Sequence, residues 1–465
     1  MKRFWLVLLS LGLIVAFSTS AMAVDVKFNG EYYAAGIYQK ATDLRDGVGP
    51  SAAMYYQRLR LGTEFIVSPG LKLVTRADIM ERSWGATRAA GNYPAAANNS
   101  DVNSSGSTLE NENIAFDLLY VQYVSPIGIF RVGYQDDGAW GTVFGDTMQP
   151  QPKITYLFAK GGLVAGGYIL KYKEASITGK APANTAGLGN MADNDVDMYA
   201  AFVNYTFKQG AAGLLFKHYR NAYFKGLPAA LGYQYSQQFT AALPYAKVKF
   251  GPVSAEAEVI YVFGTHAKYD QGAVGENVDY NMLSAYLKVG ADFGMAYVNV
   301  TLAKAAGDDK TTPAIREGSG NGGTDWNPCL IMFNFDRYYW AGKLTGHNAS
   351  QNPNVKDTGT LSTNDAGMTN AWFASLNGGV RPMDKLDINM AISWARAIEN
   401  PAITAWYSKE YGYEFDLTAT YKITNNLSYM LGGGYWWVGD YYKGALETNK
   451  VQNDYLLINK LTLTF

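Results

Sequence analysis

The sequence predicts an all-β fold, namely one transmembrane antiparallel up-and-down β-barrel of about 18 strands, with 16 as the alternative count. Three observations predict it. Segments of about ten residues alternate between apolar and polar side chains, as strands with one oily and one wet face do. Short turns alternate with long polar loops between those segments. The final segment, residues 453–465, alternates in the same way and ends on Phe465.

The first 23 residues are predicted to be a cleaved secretory signal peptide. Lys2 and Arg3 precede an apolar run from Phe4 to Phe17, and Ala21-Met22-Ala23 supplies a small-residue cleavage site. An uncleaved anchor is the weaker alternative, because the run is shorter than the roughly 20 residues of a spanning helix. We therefore expect a mature chain of one barrel domain, residues 24–465, since no linker divides it.

The strands follow one another in hairpins from the start of the mature chain. Val26 and Phe28 alternate with Lys27 and Asn29, so the first strand begins directly after the cleavage site and leaves no room for a plug domain. The other short turns are predicted at Ser68-Pro69-Gly70, Ser125-Pro126-Ile127-Gly128, Lys160-Gly161-Gly162, Lys208-Gln209-Gly210, Gly251-Pro252, Phe293-Gly294-Met295, Pro382-Met383-Asp384 and Thr424-Asn425-Asn426. Long connections such as 85–112, 175–194 and 222–237 belong to the opposite end, which is the outer side of such a barrel.

Aromatic residues favour a membrane barrel over a soluble β-sandwich or propeller. They cluster near strand ends, as in the girdles that lie at the two headgroup levels. The residues assigned to these girdles are Tyr32, Tyr38, Tyr55, Tyr56, Tyr411, Tyr413, Tyr435, Trp436 and Trp437. A soluble sandwich would instead have polar outer faces.

Composition excludes several functions. The chain has 39 basic and 40 acidic residues, and removal of Lys2 and Arg3 with the signal peptide leaves 37 against 40, so nucleic acid is not expected as a partner. Cys329 is the single cysteine, and the three histidines have no catalytic partners or metal-ligand spacing. No phosphate-binding, dinucleotide-binding or calcium motif is present. We expect no enzyme activity, no cofactor and no metal.

The wet face of the early hairpins is cationic. By alternation it carries the candidate anion contacts Arg58, Arg60, Lys72, Arg76, Arg82 and Arg131, joined later by Lys171, Lys173, Lys247, Lys249 and Lys288. Most of the acidic residues assigned to this face lie on strands distant from the arginines; they are Glu64, Asp78, Glu256, Glu258, Asp292, Glu414 and Asp416. Two interpretations remain open: the charges pair into ladders that stiffen the wall, or the arginines form a stripe that attracts anions. Changing Arg58, Arg60 and Arg76 to Gln should weaken anion preference in the second case.

The longest connection, residues 305–368, is unusually apolar for a solvated loop. Its aromatic candidates for a pore constriction are Trp326, Phe333, Phe335, Tyr338, Tyr339 and Trp340. We predict that this loop folds into the pore as a constriction or lid. An external hairpin, or packing against neighbouring loops, is an equal alternative.

Two segments resemble the alginate-export family of outer-membrane porins. They are Gln57-Arg58-Leu59-Arg60-Leu61-Gly62-Thr63-Glu64-Phe65, which is followed by Leu71 to Ala77, and the late run from Tyr413 to Tyr421 with Gly433 to Tyr442. The resemblance implies an 18-stranded barrel with an arginine-rich lumen, in which Arg58, Arg60 and Arg76 contact anions. The last strand is also similar to the closing strand of bacterial outer-membrane barrels, which implies that the assembly machinery reads Phe465.

These observations predict a passive channel in the outer membrane of a Gram-negative cell. It would contact outer-membrane lipid and pass small hydrophilic, anionic solutes or an acidic oligosaccharide or polysaccharide. A non-conducting structural or adhesive barrel is the alternative. The oligomeric state stays open.

Overall fold

We describe the protein from a computed structural model that covers residues 24–49, 51–85, 114–174, 194–226, 235–269, 275–318, 325–347, 367–400 and 406–465. The predicted signal peptide, residues 1–23, lies outside this part of the chain, as do most residues of the predicted loops 85–112 and 175–194. No helix among the described residues is long and apolar enough to cross a membrane.

Eighteen strands of the described residues form one ring in which each strand pairs antiparallel with the next. In chain order they are β1 Asp25–Gln39, β2 Ala52–Ser68, β3 Leu71–Ser83, β4 Ile114–Ser125, β5 Gly128–Asp136, β6 Pro150–Lys160, β7 Leu163–Lys173, β8 Val196–Phe207, β9 Gly210–Asn221, β10 Tyr235–Phe250, β11 Val253–Tyr269, β12 Val278–Asp292, β13 Ala296–Ala305, β14 Ala371–Met383, β15 Leu386–Arg396, β16 Glu410–Lys422, β17 Leu427–Val438 and β18 Asp454–Thr464. The prediction of an 18-stranded antiparallel barrel is confirmed.

The ring closes where the first and last strands meet. β1 pairs with β18 from Glu31 opposite Thr464 to Gln39 opposite Leu456. Gly30 and Phe465 exchange two backbone hydrogen bonds, of 2.8 and 3.0 Å. Phe465 therefore takes part in the seam through its backbone, while its ring is exposed. Closure removes the two open edges that an 18-stranded sheet would otherwise have.

All eight predicted short turns join neighbouring strands at one end of the barrel. Ser68 and Leu71, for example, flank a two-residue turn in which Gly70 has φ of 82°, a conformation that suits glycine. The connections at the opposite end are longer, so we call the two ends the short-turn end and the long-loop end. The alternation of short and long connections is thus as predicted.

The alternation within strands gives the barrel an apolar outside. Large apolar side chains such as Phe116, Val132, Ile154, Leu376 and Leu431 are exposed on that face. Three residues assigned to the aromatic girdles depart from the prediction, because Tyr56, Tyr411 and Trp436 are 4%, 1% and 0% exposed and lie in the interior. Proximity to a strand end predicts depth in the membrane, and it does not predict which face a ring occupies.

An apolar core lies inside the barrel towards the long-loop end. It includes Tyr33, Ile37, Phe144, Phe333, Trp340 and Phe373. Two segments that are not barrel strands supply much of it, residues 137–149 between β5 and β6 and residues 325–347 between β13 and β14. Within the second, helix α1 (Phe335–Ala341) begins after Asn334, whose side chain accepts the Arg337 backbone N–H.

Candidate functional site in the barrel lumen

The inward faces of β2 to β4 form a network of ion pairs, which we call the paired wall. Its members are Arg58, Arg60, Arg76, Asp78, Glu81 and Asp117. Arg60 donates to both carboxylate oxygens of Asp78, over 2.7 and 2.6 Å. This two-pronged geometry is the strong form of an arginine–carboxylate pair. Asp78 is 2% exposed, so the pair is shielded from bulk water.

Arg76 and Arg58 are compensated in the same way. Arg76 contacts both oxygens of Asp117 on β4, with the shortest distance 2.6 Å. Arg58 lies 3.3 Å from Glu81 and 3.9 Å from Asp78. Lys72, nearer the short-turn end, pairs with Glu64 at 2.5 Å. The sequence analysis assigned Glu64 and Asp78 to this face, and it lacked Glu81 and Asp117, the nearest partners of Arg58 and Arg76.

Two strand irregularities explain why alternation missed Asp117 and Glu81. The pairing of β3 with β4 shifts register between Arg76 and Ala77, and Asp117 falls at that shift. In β3, Met80 has φ of 53°, and Arg82 pairs across from Gln57 while Glu81 contacts Arg58. An extra residue in one strand reverses the faces of the residues that follow. Arg82 is 7% exposed and does not share the alternation of Arg58 and Arg60.

Arg131 on β5 differs from the other arginine candidates. Its Nε donates 2.8 Å to the neutral Oε1 of Gln122, and its guanidinium lies 6.0 Å from the Tyr120 ring centre. No acidic residue of the described chain lies within 4 Å of it. Its charge therefore stays uncompensated by the neighbouring strands.

A second cationic group faces the lumen on β10 to β12, and we call it the lysine wall. It consists of Lys247, Lys249 and Lys288, with Glu256 between them. Glu256 pairs across the sheet with Lys247 on one side and Lys288 on the other, and Lys288 lies 3.8 Å from it. Among the described residues, neither Lys247 nor Lys249 has a carboxylate within 4 Å, and the Lys247 ammonium lies 5.8 Å from the centre of the Tyr245 ring. Asp146 and Glu258 act on Lys247, and Asp292 acts on Lys249, only over longer distances.

The segment 325–347 enters the barrel, and it carries the six aromatic residues proposed as a constriction. Phe333 is 0% exposed and packs on Phe373 and Tyr411. Trp340 stacks on Tyr56 with the ring centres 4.4 Å apart. Trp326 makes edge contacts with Phe144, Tyr286 and Phe373. Phe335 packs against Tyr338 and Tyr339, which are half-buried.

Backbone hydrogen bonds fasten this segment to the wall. Glu414 on β16 accepts the backbone N–H groups of Ile331 and Met332, at 2.6 and 2.7 Å. Asp416 accepts that of Leu330 at 3.2 Å. Three successive backbone N–H groups of the loop are thus held by one strand of the wall.

Arg337 of α1 adds a fastening within the segment and a contact to β1. It is 2% exposed and donates to the carbonyl oxygens of Ile331 and Gly342, at 3.1 and 3.0 Å. A weaker contact of 3.4 Å reaches the Gln39 side chain of β1. Because an arginine has five donors and no acceptor, it suits a position where several carbonyl groups converge.

Cys329, Glu414 and Asp416 bring three possible metal ligands within 4.8 Å of one another. Three of the four carboxylate oxygens already accept backbone N–H groups of the loop. Anchoring of the loop accounts for this cluster without a metal.

Sequence reasoning missed the second inward segment, residues 137–149. Its Thr142 donates from both its backbone N–H and its hydroxyl to Glu258 of β11, at 2.7 and 2.6 Å. Trp140 donates to the Leu243 carbonyl at 2.8 Å, and Phe144 packs against Trp326 of the other segment. The signal was present in the run from Gly138 to Gly145, where aromatic residues alternate with glycines.

Comparisons with known proteins give structural likeness only. No family model matches the chain, and no curated protein matches it. Among solved structures, it is similar to the outer membrane protein opdK from Pseudomonas aeruginosa, with 12% identity, TM-score 0.45, and 94% of this chain and 99% of that one covered. It is also similar to a BenF-like porin from Pseudomonas fluorescens Pf-5, with 11% identity, TM-score 0.48, and 95% of this chain and 99% of that one covered. A third similar structure is Pseudomonas aeruginosa OccK2 (OpdF) in complex with glucuronate, with 12% identity, TM-score 0.47, and 95% of this chain and 97% of that one covered.

These TM-scores lie below 0.5, so the likeness supports no inference about the solute. The resemblance to the alginate-export family stays a prediction. So does the reading of Phe465 by the assembly machinery.

Proposed function

We propose that the protein is a passive channel of the Gram-negative outer membrane for small hydrophilic anions. The observation that carries the proposal is a closed ring of strands with an exposed apolar outside and a charged inside. A ring of this kind satisfies every strand edge in lipid and leaves its polar side chains to line a water-filled passage.

The anion preference is assigned to the lysine wall together with Arg131. These cations lack a full set of acidic partners, whereas Arg58, Arg60, Arg76 and Lys72 each have one. A compensated pair has little net field a few ångströms away, so uncompensated charges decide which ions enter a pore. An acidic saccharide of the alginate type would meet the same lysines.

The two inward segments are proposed to narrow the passage at the long-loop end. They meet each other where Phe144 contacts Trp326 and where the Asp325 N–H donates to the Asp146 carbonyl at 3.3 Å. Solute would then pass beside this contact. If the segments instead fill the passage completely, the barrel is a non-conducting structural or adhesive protein, which is the second candidate.

Planar bilayer recording tests both candidates. We expect discrete conductance steps and a reversal potential in a potassium chloride gradient that shows anion preference. Glu414→Gln should raise the conductance or its noise, because one carboxylate oxygen of the anchor is lost. Glu410→Gln is the matched control, since Glu410 lies on the same strand and contacts Trp394 and Arg396 instead of the loop. A pure protein that gives no steps would favour the structural candidate.

A further inference from the structure

Three asparagines on adjacent strands form a continuous chain of hydrogen bonds, which we call the amide ladder. Asn299 of β13 donates to the Asn377 carbonyl oxygen of β14 at 3.1 Å, and Asn377 donates to that of Asn389 on β15 at 2.8 Å. Asn389 then donates to the Tyr297 hydroxyl oxygen at 2.9 Å. All three side chains are half-buried.

The end of the ladder fixes the direction of every bond. The Tyr297 hydroxyl donates its proton to Asp387 at 2.8 Å, so its oxygen must accept from Asn389. Asn389 therefore presents its carbonyl oxygen to Asn377, and Asn377 does the same to Asn299. Arg381 holds Asp387 from the other side at 3.1 Å.

Several amide donors and acceptors of the three asparagines are not used by the hydrogen bonds of the ladder. A side-chain amide has two N–H donors and an oxygen with two lone pairs. Each asparagine spends one N–H on the ladder, and the oxygens of Asn377 and Asn389 each accept one bond from it. The remaining donors and acceptors alternate along the wall. A row that offers both within a few ångströms matches hydroxyl groups, which also donate and accept, better than it matches carboxylates, which only accept.

Two cavities meet at the ladder. One, of about 440 Å³, is lined by Asn299, Asn377 and Asn389 together with Lys249 and Lys288. The other, of about 350 Å³, is lined by Asn377 and Asn389 again, with Thr418 and Lys460. Both volumes fall within the range of about 300 to 1,000 Å³ that small-molecule sites occupy. The first cavity also includes Asp292 and Arg381, and the second Asp336 and Asp416, so the ladder has cations and carboxylates on both sides.

Gly290 allows Asn299 to take its place in the ladder. The two residues pair across β12 and β13, and a Cβ atom at position 290 would overlap the Asn299 side-chain oxygen. The side-chain oxygen of Asn299 therefore lies over Gly290, and Asn299 lines the same cavity as Lys288. A purely structural row of amides between β13 and β15 would not need this opening.

We propose that the amide ladder binds the hydroxyl groups of the solute, so that the channel selects polyhydroxylated carboxylates, such as aldonic acids, over alkyl carboxylates of equal charge. The proposal rests on the anion channel proposed above and names its solute class. The carboxylate lies at Lys249 and Lys288, and the hydroxyl groups exchange with the ladder as the solute passes.

The test is a titration of single-channel current block with sodium gluconate and, in parallel, sodium hexanoate. The wild-type protein should be blocked at a lower concentration of gluconate than of hexanoate. Asn377→Leu/Asn389→Leu should raise the half-blocking concentration of gluconate about fivefold, as the loss of one or two neutral hydrogen bonds would. It should leave hexanoate block unchanged.

Two control variants separate the ladder from charge and from general damage. Lys249→Gln/Lys288→Gln should weaken block by both anions equally. Asn204→Leu removes an inward amide on β8 that accepts from Tyr245, and it should change neither. Asn377→Ser, which replaces the amide by a single hydroxyl, serves if the double variant does not fold, and it should weaken gluconate block alone.

Equal block by the two anions in the wild-type channel would overturn the ladder proposal while the pore stands. The same holds if Asn377→Leu/Asn389→Leu weakens both anions equally. Absence of conductance would overturn the channel itself, and the ladder proposal with it.

Discussion

The paired wall and the lysine wall carry similar numbers of cations in opposite electrostatic states. In the paired wall, Arg58, Arg60 and Arg76 each have a carboxylate within 3.3 Å. In the lysine wall, Lys288 lies 3.8 Å from Glu256, and among the described residues Lys247 and Lys249 have no carboxylate within 4 Å. A count of basic residues therefore says little about the field inside a barrel. The register of neighbouring strands decides which charges are cancelled.

The largest expected effect is on the stability of the paired wall. Arg60→Gln leaves the Asp78 side chain, which is 1% exposed, without its bidentate partner. We expect the free energy of unfolding to fall by roughly 3 kcal/mol, as it does when one member of a shielded pair is removed. Urea unfolding in detergent micelles measures it. Arg60→Gln/Asp78→Asn should recover most of the loss. If the single and the double variant are equally stable, Arg60 and Asp78 do not stabilise the barrel as a pair.

The lysine wall should show the reverse behaviour. Lys247→Gln/Lys249→Gln/Lys288→Gln should lower the ratio of anion to cation permeability severalfold, because these charges are not cancelled nearby. The free energy of unfolding should change by less than about 0.5 kcal/mol per site, as for ordinary exposed positions. Reversal potentials in a salt gradient check the first point. An unchanged ratio would assign the selectivity to other residues, with Arg131 the next to test.

A smaller effect is expected from pH at the inward segment 137–149. Partial burial and the carboxylates of Asp325 and Asp136 raise the pKa of Asp146 above its usual 3.8, and Lys247 acts in the opposite direction. The charged form is therefore disfavoured when the segment is packed. As the pH falls through the raised pKa, proton uptake stabilises the packed segment, and the gain is complete below 3.8, where the released segment is protonated too.

Current noise recorded between pH 7 and pH 4 checks this dependence. We expect the noise to decrease on acidification. The Asp146→Asn variant should show low current noise at both pH values. A variant that keeps the wild-type pH response would place the titrating group elsewhere.

The smallest effect is expected when whole ion pairs are removed from the paired wall. Arg60→Gln/Asp78→Asn/Arg76→Gln/Asp117→Asn should leave the permeability ratio unchanged, because each deleted cation takes its carboxylate with it. Arg58→Gln, Arg60→Gln and Arg76→Gln, which the sequence analysis suggested, are a different test. They leave three carboxylates unpaired, so any loss of anion preference would come from the added negative charge. If the fourfold variant also loses anion preference, the two walls do not differ as we describe.

The sequence was sufficient for the barrel and insufficient for its charges. The alternation of side chains and the length of the turns predicted 18 strands and all eight short turns, because both are local features of the sequence. Alternation along a strand has a period of two residues. The partners of Arg58 and Arg76 depend on single-residue irregularities at Met80 and beside Asp117, and one such residue changes the face of all that follow. The aromatic loop was recognised by its composition, whereas its anchor on Glu414 joins segments far apart in the chain and has no local signal.

The seam between β1 and β18 has a consequence for biogenesis. Because the first strand finds its second neighbour only in the last one, a chain cut short anywhere before β18 keeps two unpaired strand edges. Such a product would be prone to aggregate, and it presents quality-control proteases with extended backbone. We therefore expect prematurely terminated chains to be degraded in the cell envelope, whatever their length.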